Sequence, residues 1–198
     1  MARALFVAGV LTGVLTLAGA CAREPAPTPA ASSPAPTTAA TRPDTDRVAV
    51  EAAAQALIAR TPFATLTTIG EDGAPQSRIV EPFPLEDNFT VWIATNGSTR
   101  KVRQIERDPR VTLLYFDQAG PGYVSLLGTA AIVRDPTDKA KRWKDSWVGF
   151  YKDRNRGDDY TLVRVTPARL EISSPSQKMN NDPVTWQPVT IAIGTNAR

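Results

Sequence analysis

Residues 95–111, TNGSTRKVRQIERDPRV, place hydroxyl and basic side chains at a predicted helix start. An Asn-Gly pair ends a predicted strand, and Ser98 or Thr99 suits the N-cap of the helix that follows. Arg100 and Lys101 then fall in the first turn, where free N–H groups and the helix dipole are already positive. Cations there cost up to about 1 kcal/mol, and a bound anion such as phosphate removes that cost. A solvated, charged helix face explains the same residues, so helix physics leaves both interpretations open.

A second basic side chain, Arg78, lies in the predicted strand QSRIVEP. A lone arginine in a strand often pairs with a neighbouring carboxylate, which here would be Glu81. If the strand of Arg78 lies beside the strand that ends at Thr95, Arg78 can instead reach the same anion. Its role therefore depends on the order of the strands.

The residues that are missing exclude several kinds of chemistry. From Arg47 to the end, the chain has no cysteine and no histidine. This excludes a disulfide, a thiol nucleophile, a His-ligated haem, a typical zinc site and a Ser-His-Asp triad in this part of the chain. We expect no metal site, and no side chain identifies itself as catalytic. The charge of 23 basic against 20 acidic residues is too small an excess to predict nucleic-acid binding.

The pattern of the chain from Arg47 onward predicts a small, mainly β domain. Pro109 ends the charged helix after about residue 107, and Gly128 lies within a long strand where a bulge or a barrel bend would fit. The fold class that follows is mainly β (α+β), a six-stranded antiparallel barrel with a few flanking helices. Helices are predicted at 48–60, 100–107 and 136–148, and strands at 63–69, 76–82, 89–95, 110–116, 123–133 and 160–165, the last continuing at 170–172.

Three segments carry a family resemblance in order: FATLTTIGEDGAPQSRIV, WIATNGSTRKVRQIERDPRVTLLYF and GYVSLLGTAAIVRD. Together they resemble the pyridoxamine 5′-phosphate oxidase-like split-barrel flavoproteins, and within these the general stress protein 26 group. The resemblance covers residues 54–171, and the TNGSTRK string is its most specific part. It implies a split β-barrel that binds FMN, with FAD or a deazaflavin as alternatives.

The resemblance also implies which residues hold the phosphate of the flavin. Arg78 would contact the phosphate end from its strand. Thr99, Arg100 and Lys101 would grip the phosphate directly. These roles agree with the interpretation of the charged helix start as an anion site.

The resemblance implies further contacts, some with the isoalloxazine ring and some at the phosphate side. Ile79 and Val80 would border the ring, while Ala94 and Thr95 would close the phosphate side. Tyr123 stands where the oxidases have a glutamine that bonds the ring, which puts that contact in doubt.

Two departures from the oxidases argue against vitamin B6 oxidation. Phe83 occupies the position where the oxidases have a lysine, five residues after Arg78. The C-terminal stretch ISSPSQKMNNDPVTWQP lacks the Arg- and His-containing segment that holds their substrate.

In this fold the flavin lies between two subunits, so a homodimer is implied. We therefore expect a flavin-dependent oxidoreductase acting on an unknown small molecule. The alternatives are a non-catalytic flavin-binding protein and an interaction lipoprotein without cofactor.

The first 46 residues are expected to lie outside this domain. Residues 1–20 form a signal peptide with an early arginine and an apolar run, and small residues precede Cys21. This resembles a bacterial lipoprotein signal with lipid on Cys21. The alternative interpretation is an ordinary secretory signal. In a two-membrane bacterium, Ala22 after the cysteine favours the outer membrane, with the protein facing the periplasm and touching the membrane only through its anchor.

The composition then divides the remaining chain into three parts. Residues 21–46 are rich in Pro, Ala and Thr and predict a tether. Residues 47–175 are expected to form the domain that, by the resemblance, is an FMN-binding split barrel, and 176–198 are expected to be an irregular tail. In that tail, Trp186 is expected to pack back onto the domain.

Overall fold

The structure is a computed structural model that describes residues 47–151, 157 and 159–194. The predicted signal peptide, Cys21 and the tether lie outside the described residues. Within the described part of the chain, no helix is both long and apolar enough to cross a membrane.

The described residues form three helices and seven strands, mostly where the sequence predicts them. The helices are α1 (Arg47–Ala59), α2 (Arg100–Arg107) and α3 (Pro136–Lys141). The strands are β1 (Ala64–Ile69), β2 (Pro75–Val80), β3 (Val91–Thr95), β4 (Arg110–Asp117), β5 (Gly122–Val133), β6 (Thr161–Ser173) and β7 (Val189–Ala192).

The strands form one antiparallel sheet that curls into a half-barrel. Its order is β2-β1-β4-β5-β6-β3, and β7 pairs with β6 outside this path. The two end strands approach each other just beyond β2, where Pro82 bridges to Ile93 and the Phe83 N–H donates to the Trp92 carbonyl at 2.8 Å. The predicted class, a mainly β antiparallel split barrel, is confirmed.

The core lies between the inner face of this sheet and α1. Alternation along β1 buries Ala64, Leu66 and Thr68 while their neighbours stay half-exposed. On α1 the buried residues are Val50, Ala53, Ala54, Leu57 and Ile58, whose spacing defines a single helix face.

The bulge predicted at Gly128 is present. The register between β5 and β6 shifts between Leu127 and Gly128. Pro167 does not interrupt β6, because Gly128 lies opposite it and the strand continues through both positions. Both halves of β6 therefore pair with β5, while its first half also pairs with β3 and its second with β7.

Two predictions for the C-terminal stretch were wrong. The tail was expected to be irregular, but Val189–Ala192 forms β7 along β6. A four-residue strand is too short to show a period, and it forms because β6 offers a free edge there. Trp186 does not pack back onto the domain but is 77% exposed. The loop that contains it is stabilised by its own hydrogen bonds, in which the Asp182 carboxylate accepts from the Val184 and Thr185 N–H groups.

The helix predicted at 136–148 was too long. Asp135 caps α3 as expected, accepting from the N–H groups of Thr137 and Asp138, but α3 ends at Lys141. A separate 3-10 turn follows at Asp145–Gly149. The Tyr160 hydroxyl donates to the Arg142 carbonyl at 2.9 Å, so a contact from distant sequence takes the acceptor that a longer helix would use.

Candidate functional site

The start of α2 has neither a side-chain cap nor a counter-charge. Thr99 is the N-cap residue, but its hydroxyl donates to the Asn96 carbonyl at 2.9 Å and accepts no helix N–H. No acidic residue lies in the first turn. The first N–H groups of α2 therefore keep their positive potential, as the sequence predicted.

Lys101 turns its ammonium group back toward the end of β3. Its Nζ lies 2.9 Å from the Thr95 Oγ1 and 3.5 Å from the Thr99 Oγ1. Burial, and to a lesser degree the charge of Arg78, lowers the pKa of Lys101 below its ordinary value. A lysine held close to another cation and away from solvent gains from an anion that approaches it.

Arg78 points from β2 toward the same end of α2. Its Nη1 donates to the Thr68 Oγ1 at 2.6 Å and to the Leu66 carbonyl at 3.3 Å, and its Nη2 donates to the Gln104 Oε1 at 2.9 Å. Burial, followed by the charge of Arg100, lowers the pKa of Arg78. The structure thus brings Arg78, Arg100 and Lys101 into one electrostatic cluster, which we call the basic cluster.

The positive charges of the basic cluster are not neutralised by a carboxylate of the described residues. Within the described ranges, no carboxylate forms an ion pair with Arg78, Arg100 or Lys101, whereas Glu81, the alternative partner for Arg78, pairs with Lys144 at 2.8 Å. Convergent cations beside an open helix start can hold an oxyanion such as a phosphate.

Two connections bring these residues together. The predicted strand of Arg78, QSRIVEP, meets the strand that ends at Thr95 at its last residue, where Pro82 bridges to Ile93, although β2 and β3 are otherwise the two ends of the strand order. α2 adds the second connection, since it follows β3 directly and packs against β1.

The remaining predicted site residues divide between the two faces of the sheet. Ile79 points outward and is 68% exposed, whereas Val80 has its side chain in the core. Thr95 is buried beside Lys101, and Ala94 lies on the opposite face of β3, half-buried against an aromatic cluster that includes Trp92. A ligand on the outer face would meet the Ile79 side chain and only the backbone of Val80.

Three polar residues of this region carried no predicted role: Thr68, Gln76 and Gln104. Gln104 is 4% exposed, accepts from the Thr68 hydroxyl at 2.6 Å and donates to the Gln76 Oε1 at 2.8 Å. The apolar spacing of α2 did not identify Gln104, because Val102 and Ile105 mark the buried face and Gln104 is about 100° around the helix from Ile105.

Two cavities lie near these elements, and of the two only the smaller is lined by a predicted site residue, Arg100. One of about 370 Å³ is lined by residues from the β1–β2 turn, β2 and α2, including Gln76, Arg100 and Gln104. A larger one of about 870 Å³ extends from the end of α1 to the segment after β2, with Phe63, Phe83 and Tyr115 among its walls. Phe83, at the position of the oxidase lysine, has the Lys144 Nζ 5.3 Å from its ring centre.

The fold defines a class, the antiparallel split barrel, and the comparison with protein families assigns the chain within it. The family model described as pyridoxamine 5′-phosphate oxidase matches residues 50–174. The chain therefore belongs to the pyridoxamine 5′-phosphate oxidase family.

Individual relatives agree with this assignment. General stress protein 26 of Bacillus subtilis is 27% identical over 117 residues, which cover 58% of this chain and 81% of that protein. A solved protein from Clostridium acetobutylicum, related to general stress protein 26, has a TM-score of 0.61 at 21% identity, covering 75% of this chain and 97% of its own. A pyridoxamine 5′-phosphate oxidase-related, FMN binding protein from Nostoc punctiforme has a TM-score of 0.54 at 12% identity, covering 75% and 96%. At these identities the solved structures support the fold alone.

Proposed function

We propose that this protein binds FMN and holds its phosphate in the basic cluster. The carrying observation is that Arg78, Arg100 and Lys101 converge from β2 and α2 with no carboxylate paired to them among the described residues. Burial first, and then the charge of a neighbouring cation, lowers the pKa of Arg78 (beside Arg100) and of Lys101 (beside Arg78). Thr99 and Arg100 complete the grip at the helix start. A phosphate dianion supplies the missing counter-charge and accepts from the free N–H groups.

The rest of the flavin is proposed to extend from this point along β2. Ile79 and Val80 would border the ring, and Thr95, with the backbone of Ala94, would close the phosphate side. FMN is the proposed nucleotide, with FAD and a deazaflavin as the alternatives.

The function that follows is that of a flavin-dependent oxidoreductase of a small molecule. A bound flavin supplies hydride or single-electron exchange, and the chain supplies position and electrostatics. The basic cluster fixes the phosphate end, so the ring is held at a set distance along β2. Phe83 in the place of the oxidase lysine argues against a vitamin B6 substrate. A non-catalytic flavin-binding protein is the alternative.

Titration of the purified chain with FMN tests the binding proposal. We expect FMN to bind with its fluorescence quenched, and riboflavin, which lacks the phosphate, to bind at least about tenfold more weakly. A chain that binds neither ligand contradicts the proposal. Bleaching of the bound flavin by a reduced nicotinamide separates the oxidoreductase from the non-catalytic alternative.

We also propose that the protein is a homodimer whose interface is the outer face of the β2-β1-β4-β5 sheet. The outward side chains of this face are largely apolar or hydroxyl-bearing, and Ile79 and Phe116 are 68% and 55% exposed. Its central row aligns Ile79, Thr65, Leu114 and Ser125. A second copy would cover this surface and would place the Ile79 side of the flavin site in a groove between two subunits.

Replacing Leu114 by glutamate is expected to convert the dimer into monomers, because a carboxylate would be buried at the centre of the interface. Light scattering should show half the mass of the wild type, and FMN affinity should fall by at least about tenfold as the groove is lost. Val184, which is 84% exposed in the C-terminal stretch, offers the control Val184→Glu, which should remain dimeric. A monomeric wild type would refute the interface.

The location of the protein is proposed from the sequence alone. The lipoprotein-like signal before Cys21 and the Pro-rich segment after it support an anchor in the cell envelope, at the outer membrane of a two-membrane bacterium. Cys21→Ala should move the protein from the membrane fraction to the soluble fraction. Unchanged partitioning would refute the anchor.

A further inference from the structure

Gln104 is a buried polar side chain whose hydrogen bonds connect α2 to both strands beneath it. Its Oε1 accepts from the Thr68 Oγ1 at 2.6 Å and from the Arg78 Nη2 at 2.9 Å, and its Nε2 donates to the Gln76 Oε1 at 2.8 Å. Only 4% of the residue is exposed. Since a guanidinium can only donate, Arg78 fixes which end of the Gln104 amide faces it.

The hydrogen bonds of Arg78 can be counted against its five N–H groups. Two on Nη1 go to Thr68 and Leu66, and one on Nη2 goes to Gln104. Thr68 and Gln104 are hydrogen-bonded to each other and therefore lie side by side. They accept from one N–H of Nη1 and one N–H of Nη2, the pair at the tip of the guanidinium. The Nε–H and the second Nη2–H, which form its lateral fork, have no partner among the described residues. Such a fork matches two oxygens of one phosphate.

We infer that Gln104 is a positioning residue that holds the tip of Arg78 so that its lateral fork is directed at the anion held by α2. This inference rests on the proposed function for its ligand, the FMN phosphate. Gln104 belongs to the same short helix as Arg100 and Lys101, so one element sets the relative positions of all three cations. Arg78 is thereby arranged before the ligand arrives, which lowers the ordering cost of binding.

The amide is the side chain that this position requires. It accepts twice and donates once while adding no charge next to the anion site. Methionine has a similar shape but leaves Arg78 and Thr68 without their acceptor. Glutamate keeps the acceptor and the shape, but its negative charge would neutralise Arg78 and repel a phosphate.

The test compares FMN and riboflavin binding in Gln104→Met and Gln104→Glu. We expect Gln104→Met to weaken FMN binding about tenfold and to leave riboflavin binding unchanged, because riboflavin has no phosphate. Gln104→Glu, which should fold because it keeps the hydrogen-bond acceptor, should weaken FMN binding further and again spare riboflavin. The matched control is Gln55→Met on the exposed side of α1, which should change neither affinity. Equal loss of both ligands in the Gln104 variants, or unchanged FMN affinity in both, would overturn the inference.

A second readout needs no flavin and separates this inference from the proposed function. In the ligand-free chain, the Nη1 proton of Arg78 that is bonded to Thr68 should give a sharp NMR resonance that marks an ordered guanidinium. The resonance should broaden or exchange faster in Gln104→Met and stay sharp in Gln55→Met. If the wild type binds no FMN, the proposed function fails and this resonance alone decides the role of Gln104. A resonance that is equally sharp in Gln104→Met shows that Arg78 does not depend on Gln104.

Discussion

Replacing Arg100 and Lys101 together by glutamate is expected to reduce FMN affinity by about 100-fold or more. Each hydrogen bond to a charged group contributes about 1.5–3 kcal/mol, and every 1.4 kcal/mol is tenfold in affinity. Two such contacts would be lost, and two carboxylates would then face the phosphate. The ligand-free fold should not suffer, because glutamate in the first turn of α2 is favourable to the helix dipole and removes like charges from Arg78.

Fluorescence titration and thermal unfolding check this result together. Riboflavin should bind the variant as it binds the wild type, because the lost contacts are with the phosphate. The charge-matched control is Lys141→Glu with Lys178→Glu, which alters two exposed lysines away from α2. An equal effect of the control would assign the loss to net charge, and unchanged FMN affinity in the Arg100/Lys101 variant would refute the phosphate site.

Local signals in the sequence were sufficient to predict the helix start of α2 and to make it a candidate anion site. A strand end, an Asn-Gly turn, hydroxyl residues and two cations in one turn are all visible within residues 95–101. The bounds of α2 and the Gly128 bulge were also predictable, since Pro109 and a glycine inside a long strand are local features. The structure agrees with these because no distant contact competes with them.

The network around Gln104 could not be predicted, because it depends on three elements meeting. The register that sets Arg78 opposite Leu66 belongs to the β1–β2 pair, and the placement of Gln104 belongs to the packing of α2. The sequence left open whether the strands of Arg78 and Thr95 are neighbours; they meet only at the Pro82–Ile93 bridge, and α2 supplies the other connection. Tertiary packing, which a local pattern does not contain, decided this.

The same reason explains why the third helix ends early. Trp143 and Trp147 leave the helical path to pack against Tyr160, with ring centres 5.1 and 6.2 Å away. Arg142 stacks its guanidinium 3.5 Å from the Trp92 ring and pairs with Glu86 at 2.7 Å. This aromatic cluster covers the face of β3 opposite Thr95, so the segment after β5 supports the strand that leads into the site.

Gly128→Ala is expected to destabilise the protein by about 3 kcal/mol or more, because the bulge leaves no space for a methyl group. A Cβ there would lie 2.2 Å from the Thr166 carbonyl oxygen, 2.6 Å from the Pro167 Cα and 2.9 Å from the Ala168 N. All three are backbone atoms of β6, so no side chain can rotate away. Relieving this clash would require separating β5 from β6, two neighbouring strands in the middle of the sheet.

The control for this prediction is Gly149→Ala, where a Cβ would meet no atom of the described chain within 4 Å. That variant should change the free energy of unfolding by less than about 0.5 kcal/mol. Urea unfolding followed by circular dichroism compares the two alanines directly, with thermal midpoints as a second measure. Similar midpoints for both variants would mean that β6 can move away from residue 128.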